Sequence, residues 1–537
     1  MTTLSKIQED FIAAAQTGAT PLENIEYWAD KIPPFLLALE QSHQLLVANI
    51  AALIPGLNSD ISRELPNELS NELSGKLALS LDGAPLPEEG DNELGNILYW
   101  LANPAEALPM LSAVTTTYPG FDAVWNAMLK AAPAPLLSAT NIANLQSLLT
   151  AAPGVLATSD GTIIGFEKYE QLDKGWAWTA VNRVLNWWDG IADFKTTDEK
   201  FCPTQLVPNK DGTVRIAIIG DWGTGTFTET GNPDPDGPAA GVMKTVVELA
   251  PDYIIHVGDT YYAGTNAKRP PHGEEAANLV NLWKQITGAT SSDRFFTLNS
   301  NHEMYGGAEG LYGVALADPI FSAQGELTYF SLQFGNWLIG GFDSAYYSPS
   351  ITYLTGGLGS QKDDPKQYEF LSDFKAYAAT GASGGGQMNT MLMCHHNPID
   401  TFANEVKGPL WGNVTDTFTP DYWYWGHIHM GAIYSDDATV WTTTKTKTKA
   451  RCIGHSAIPI ATPWGFEEPA NAGNADWYAN TPLNGGTPAP PGHLPVEHQP
   501  RIKNGFAIIT LGADGSILEE TYDQGSTTRT WPPLDAD

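Results

Sequence analysis

The stretch VRIAIIGDWGTG, residues 214–225, decides how this chain folds. An apolar, β-branched run stops at a glycine, and a bare carboxylate, Asp221, follows at once. The same arrangement recurs downstream. YIIHVG at 253–258 runs into Asp259, within GDTYY. RFFTL at 294–298 leads to Asn301 and His302, TMLMC at 390–394 to His395 and His396, and YWYWG at 422–426 to His427 and His429. LTYFSLQF (327–334) and WLIGGF (337–342) are two further short apolar runs, and amphipathic segments such as QYEFLSDFKAYAA (367–379) fall between the runs. Short strands alternating with helices predict an α/β layered fold. GFAIITLGADGSILEETY, 505–522, reads as a closing hairpin.

Layered α/β proteins bind ligands at the C-terminal ends of their strands. Each of these ends has a plain explanation by itself. Asn299, Ser300 and Asn301 favour a turn, and a pair of histidines is more often structural than catalytic. Five ends presenting Asp, Asp, Asn, His and a further His pair make coincidence a poor explanation. Carboxylate, amide oxygen and imidazole suit Zn, Mn or Fe better than Cu(I). With no cysteine among them, a structural zinc site is disfavoured. Two metals about 3.5–4 Å apart need a bridging carboxylate and several terminal ligands. His427 and His429, at alternate positions of GHIH, can each reach a different metal.

The rest of the 537 residues is organised around this region. Residues 1–194 read as a mainly helical N-terminal domain of unknown role: Leu36, Leu39, His43, Leu46, Ile50 and Leu53 recur at helical spacing, between Pro33-Pro34 and Pro55-Gly56. In WAWTAVNRVLNWWDG (176–190) the tryptophans Trp176, Trp187 and Trp188 are expected to pack on the next domain. Residues 195–212 read as a linker and 213–537 as the catalytic domain, with a Pro/Gly-rich excursion at 462–498 expected to lack regular structure. GASGG at 381–385 matches a nucleophile-elbow pattern but has no strand before it.

Sixty-one acidic against 28 basic residues give a net charge of −33. Such a surface repels nucleic acid and anionic membranes, so neither is an expected partner. Three scattered cysteines form no disulfide framework. No signal peptide is visible at the N-terminus, which points to a cytoplasmic or otherwise soluble protein and leaves secretion open.

The order GDWG, GDxxY, NHE, HxP, GHxH resembles the calcineurin-like metallophosphoesterases, most closely the purple acid phosphatase branch, over roughly residues 210–455. Many members of that superfamily carry D-x-H in the first motif. Here the third position is Gly223, and the purple branch replaces that imidazole by a tyrosine in the second motif, matched by Tyr262. The resemblance implies a four-layer β-sandwich flanked by helices. It implies Asp221, Tyr262 and His429 on a first metal, Asp259 as the bridge, and Asn301, His396 and His427 on a second. His302 would be the catalytic residue facing the phosphate and the leaving oxygen, with Glu303 behind it. His395 and His396 compete for one position; the family's His-x-Pro pattern fits His396-Asn397-Pro398, leaving His395 as a neighbour. Ser300 stands where the family usually has glycine.

The activity so implied is hydrolysis of small phosphate esters, most simply phosphomonoesters, by a metal-activated hydroxide. Phosphodiester or nucleotide hydrolysis is the alternative on the same centre. A tyrosinate ligand favours Fe(III), with Zn, Mn or Fe(II) beside it. The N-terminal region could in addition drive oligomerisation or dock a protein partner; a pure binding scaffold fits poorly with a complete ligand set.

Overall fold

The computed structural model describes residues 190–227, 236–266, 273–350, 353–359, 365–381, 386–483 and 501–532, with isolated positions between 157 and 182. The helical stripes expected before residue 157, and Trp187 and Trp188, lie outside the described residues.

VRIAIIG is apolar on both faces because both are covered. In chain order the strands are β1 (Thr204–Gln205), β2 (Thr213–Ile219), β3 (Tyr253–His256), β4 (Phe295–Thr297), β5 (Phe330–Phe334), β6 (Trp337–Gly341) and β7 (Asn389–Met393). They continue with β8 (Tyr422–Trp425), β9 (Gly431–Tyr434), β10 (Lys449–Ile453), β11 (Ala475–Tyr478), β12 (Gly505–Gly512), β13 (Ile517–Asp523) and β14 (Ser526–Trp531). They form a six-stranded sheet, β14-β13-β12-β2-β3-β4, and an eight-stranded sheet, β1-β5-β6-β7-β8-β10-β9-β11.

The two sheets pack face to face. Successive side chains of a strand point to opposite faces. Ile216 and Ile218 of β2 and Ile255 of β3 meet Ile339 of β6, Met391 and Met393 of β7 and Tyr424 of β8 in the layer between the sheets. Their neighbours Ala217, Ile219 and Ile254 face outward, under α1 (Pro238–Glu248) and α2 (Asn281–Thr287), which bring down Val242, Met243, Val246 and Trp283. On the other side Leu338, Leu392 and Trp423 face Leu371 and Phe374 of a helix over 365–380 and Leu410, Trp411 and Val414 of one over 408–415. This is a mixed α/β architecture of four layers, as a metallophosphoesterase sandwich requires.

Within each sheet a parallel block carries the strand ends of interest. β2, β3 and β4 run parallel, as do β6, β7, β8 and β10. Parallel neighbours need crossover connections, which the helices supply. A buried ion pair ties the two sheets: Arg451 of β10 donates to both carboxylate oxygens of Glu519 on β13, at 2.9 and 2.7 Å, and the Tyr424 hydroxyl donates to the same carboxylate.

Two stretches are more ordered than their sequences suggest. The segment 195–212, read as a linker, carries β1, which pairs in parallel with β5, and Phe201 packs on Phe370 and Tyr377. The excursion from 462 contains a 3-10 turn at Trp464–Glu467 and strand β11, which pairs with β9; its residues 484–498 lie outside the described residues. Pro and Gly composition hid these, because edge strands tolerate such neighbours.

Candidate metal centre

Each candidate side chain sits one to four residues past the end of a parallel strand, or a little further along the same loop, and the two blocks aim these ends at one place. Asp221 follows β2, Asp259 follows β3, Asn301 and His302 follow β4, His395 follows β7 and His427 follows β8. Asp221, Asp259 and His427 have φ of 57°, 81° and 65°, the left-handed region that non-glycine residues rarely enter. Three such residues at one site mark backbone bent to aim side chains, at a cost of order 1–3 kcal/mol each.

The first group of donors surrounds the Tyr261 hydroxyl. It lies 3.2 Å from Asp221 Oδ1, 2.7 Å from Asp259 Oδ2 and 2.9 Å from His429 Nε2. Asp221, Asp259 and His429 offer ligand atoms that all lie within 4.8 Å of one another. The other Asp221 oxygen accepts from the His427 N–H at 3.0 Å, which joins the first strand end to the last. Gly223, where a D-x-H motif would put its imidazole, has no room for one: a Cβ there would lie 2.6 Å from the Thr260 Cα.

The second group meets at the Asn301 amide oxygen. His395 Nε2 is 2.8 Å from it and His427 Nδ1 3.2 Å. His395 Nε2 is also 3.2 Å from Asp259 Oδ1. Asp259 therefore presents one oxygen to each group, the disposition of a bridging carboxylate.

Two positions differ from the sequence reading. Tyr261, the neighbour of the tyrosine that the motif singles out, puts its hydroxyl among Asp221, Asp259 and His429, while the Tyr262 ring packs against Tyr169 and Trp176, at centroid distances of 4.6 and 5.2 Å. His395, not His396, faces Asp259 and Asn301. Both ring nitrogens of His396 are taken elsewhere: Nε2 by the Tyr353 carbonyl at 2.7 Å and Nδ1 by the Ser344 hydroxyl at 2.9 Å. The physical reason is strand parity. Met391 and Met393 face the inter-sheet layer, and His395 continues that side towards Val257, whereas Leu392 and Cys394 belong to the outer face that His396 continues. The alternation within TMLMCHH carries this signal in the sequence itself.

A cation fits these donors on the evidence of their lone pairs. His395 Nδ1 lies 2.9 Å from the Val257 carbonyl, which can only accept, so Nδ1 carries the proton. Burial pushes the imidazole down to about 4, against the pull of Asp259, so His395 is neutral near pH 7. Its Nε2 lone pair then points at two further acceptors, Asn301 Oδ1 and Asp259 Oδ1. Asp259 Oδ1 is fully buried and has no hydrogen-bond donor. Acceptors facing one another without a donor are unfavourable unless a cation sits between them.

His302 lies at the side of the pair. Its Nδ1 donates to the Tyr262 carbonyl at 2.6 Å, which leaves Nε2 directed to the centre, 3.8 Å from Asp259 Oδ2. Ser300 is the N-cap of the short helix α3 (Asn301–Tyr305): its hydroxyl oxygen accepts from the His302 N–H at 3.0 Å, and its O–H meets the Glu303 carboxylate. This cap fixes the turn carrying Asn301 and His302. Glu303 also accepts from the Thr260 hydroxyl at 2.9 Å, so it braces the Asp259 loop from behind.

No curated protein matches the chain. Among solved structures it is similar to "GAP50 the anchor in the inner membrane complex of Plasmodium", at 12% identity over 59% of this chain and 87% of that one, with a TM-score of 0.37, too loose to bear on fold or function. Residues 214–431, the span that holds both donor groups and His302, match the family model described as calcineurin-like phosphoesterase.

Proposed function

We propose that this chain hydrolyses phosphate esters, phosphomonoesters foremost, at a dinuclear metal centre. Asp221, Tyr261 and His429 would hold one ion and Asn301, His395 and His427 the other, with Asp259 shared between the two groups. The observation that carries this reading is the split of the Asp259 carboxylate, with Oδ2 in the tyrosine group and the donorless Oδ1 in the asparagine group. Two ions held there would supply Lewis acidity toward a phosphoryl oxygen and a nucleophilic water near neutral pH. The phenol of Tyr261 gives the first position a hard ligand that favours Fe(III), with Zn, Mn or Fe(II) in the second, as in the purple acid phosphatases.

The chain's own residues do the rest. Tyr262's carbonyl keeps the His302 proton on Nδ1, so Nε2 faces the reacting centre. A proton carried at Nε2 stands on the side of the ring that faces Asp259, 3.8 Å away. From there it can be passed to the departing alkoxide, which alkyl phosphates need far more than aryl ones. Almost complete burial of the donors limits water at the centre and strengthens each of these interactions.

The test is elemental analysis of the full chain beside a panel of mono- and diesters. Two ions per chain and turnover of monoesters ahead of diesters support the proposal. Diester preference would move the substrate class on the same centre, and an inert, metal-free chain would end it.

A further inference from the structure

The backbone N–H and carbonyl of Tyr262 are both held by side chains outside the two donor groups. Its N–H donates to Glu274 Oε1 at 2.8 Å. Its carbonyl accepts from His302 Nδ1 at 2.6 Å and from the Thr179 hydroxyl at 3.2 Å, filling both lone pairs. Thr179 lies ahead of the span that matches the phosphoesterase family. So does Trp176, one helical turn earlier, whose ring stands 5.7 Å from that of His302 and 5.2 Å from that of Tyr262. Trp176 is itself fixed, because its indole N–H donates to the Glu170 carbonyl at 2.7 Å. Glu170 is in turn held by Arg501, from the far end of the chain.

From this convergence we infer that Thr179 and Trp176 are positioning residues for His302: residues N-terminal to the phosphoesterase span complete the site by fixing the imidazole that serves the leaving group. The inference rests on the proposed phosphatase reading, because it assigns His302 that role. Thr179 holds the carbonyl that His302 Nδ1 uses, and the Trp176 ring packs beside the imidazole. Neither belongs to the two donor groups, so their loss acts on protonation of the leaving group and spares metal binding.

The experiment uses the full chain with Thr179→Val, Thr179→Ser and Trp176→Phe. Two readouts separate the inference from the reading it rests on. In protein labelled with 15N-histidine, the Nδ1–H resonance of His302 is identified by its absence in His302→Ala. It should be retained in Thr179→Ser and lost to faster solvent exchange in Thr179→Val and Trp176→Phe. With metal content unchanged, Thr179→Val should lower kcat roughly tenfold on an alkyl phosphate, a part of the 10²–10⁴ that general acid help supplies, and less than about twofold on a nitrophenyl ester. Thr179→Ser should restore the alkyl rate. An unchanged His302 resonance in Thr179→Val, or equal slowing of both esters, overturns the inference. A wild type that turns over neither ester overturns the phosphatase reading instead, and the resonance still decides whether Thr179 holds His302.

Discussion

The Tyr261 hydroxyl lies 2.7 Å from Asp259 Oδ2, inside a group completed by Asp221 and His429. One phenol thus reaches the carboxylate shared by the two donor groups and both other members of the first group. With iron bound, a phenolate there gives a visible charge-transfer band. Tyr261→Phe should lose that band and bind the first ion more weakly, while Tyr262→Phe keeps both. Absorption spectra of the two iron-loaded variants check this, and loss of colour in Tyr262→Phe alone would return the ligand to Tyr262.

His395 and His396 are neighbours with opposite duties. His395→Ala should remove one of two ions, since it takes away the nitrogen facing Asn301 and Asp259. His396→Ala should keep both ions yet destabilise the fold by about 1–3 kcal/mol, because it takes the imidazole away from the buried Ser344 hydroxyl and the Tyr353 carbonyl. Metal analysis and denaturant melts of the two variants separate these outcomes.

His302→Ala should slow turnover by roughly 10²–10⁴-fold with both ions in place, the scale of general acid–base help. Loss of metal in parallel with rate would make His302 a ligand instead.

Arg451→Met should destabilise the chain by about 3–5 kcal/mol, the cost of leaving the buried Glu519 carboxylate without its cation. Adding Glu519→Leu should recover only part of that loss, since it leaves the buried Tyr424 hydroxyl without its acceptor. Chemical denaturation of the single and double variants reads this directly.

Much of the site is written in the sequence. Asp221, Asp259, Asn301, His427 and His429 stand at the ends of short apolar runs, and strand plus turn fixes where such residues go. The shift from His396 to His395 arises because motif spacing alone ignores which side of the strand a residue continues, and the shift from Tyr262 to Tyr261 is set in the loop after β3, where spacing does not say which of two adjacent rings turns inward. The α/β layering is legible in the alternation of short apolar runs with helical segments, whereas the four-layer sandwich entered through the motif resemblance; strands such as VRIAIIG, apolar on both faces, agree with it. Edge strands β1 and β11 are hidden in polar and Gly-rich segments, where pairing rather than hydrophobicity makes the strand. That Trp176 packs on the following residues is read from its aromatic segment, but its contact with His302 and that of Thr179 with a backbone carbonyl have no sequence signature, since those partners lie more than eighty residues away.

The most direct test of the account is reconstitution. The full chain is stripped with chelator, titrated with iron and zinc or manganese, and followed by bound metal and phosphomonoester turnover together. The account predicts two ions per wild-type chain, turnover that returns as the pair fills, and neither in Asp259→Asn. Turnover that survives chelation, or an Asp259→Asn variant that binds two ions and works at the wild-type rate, would contradict it.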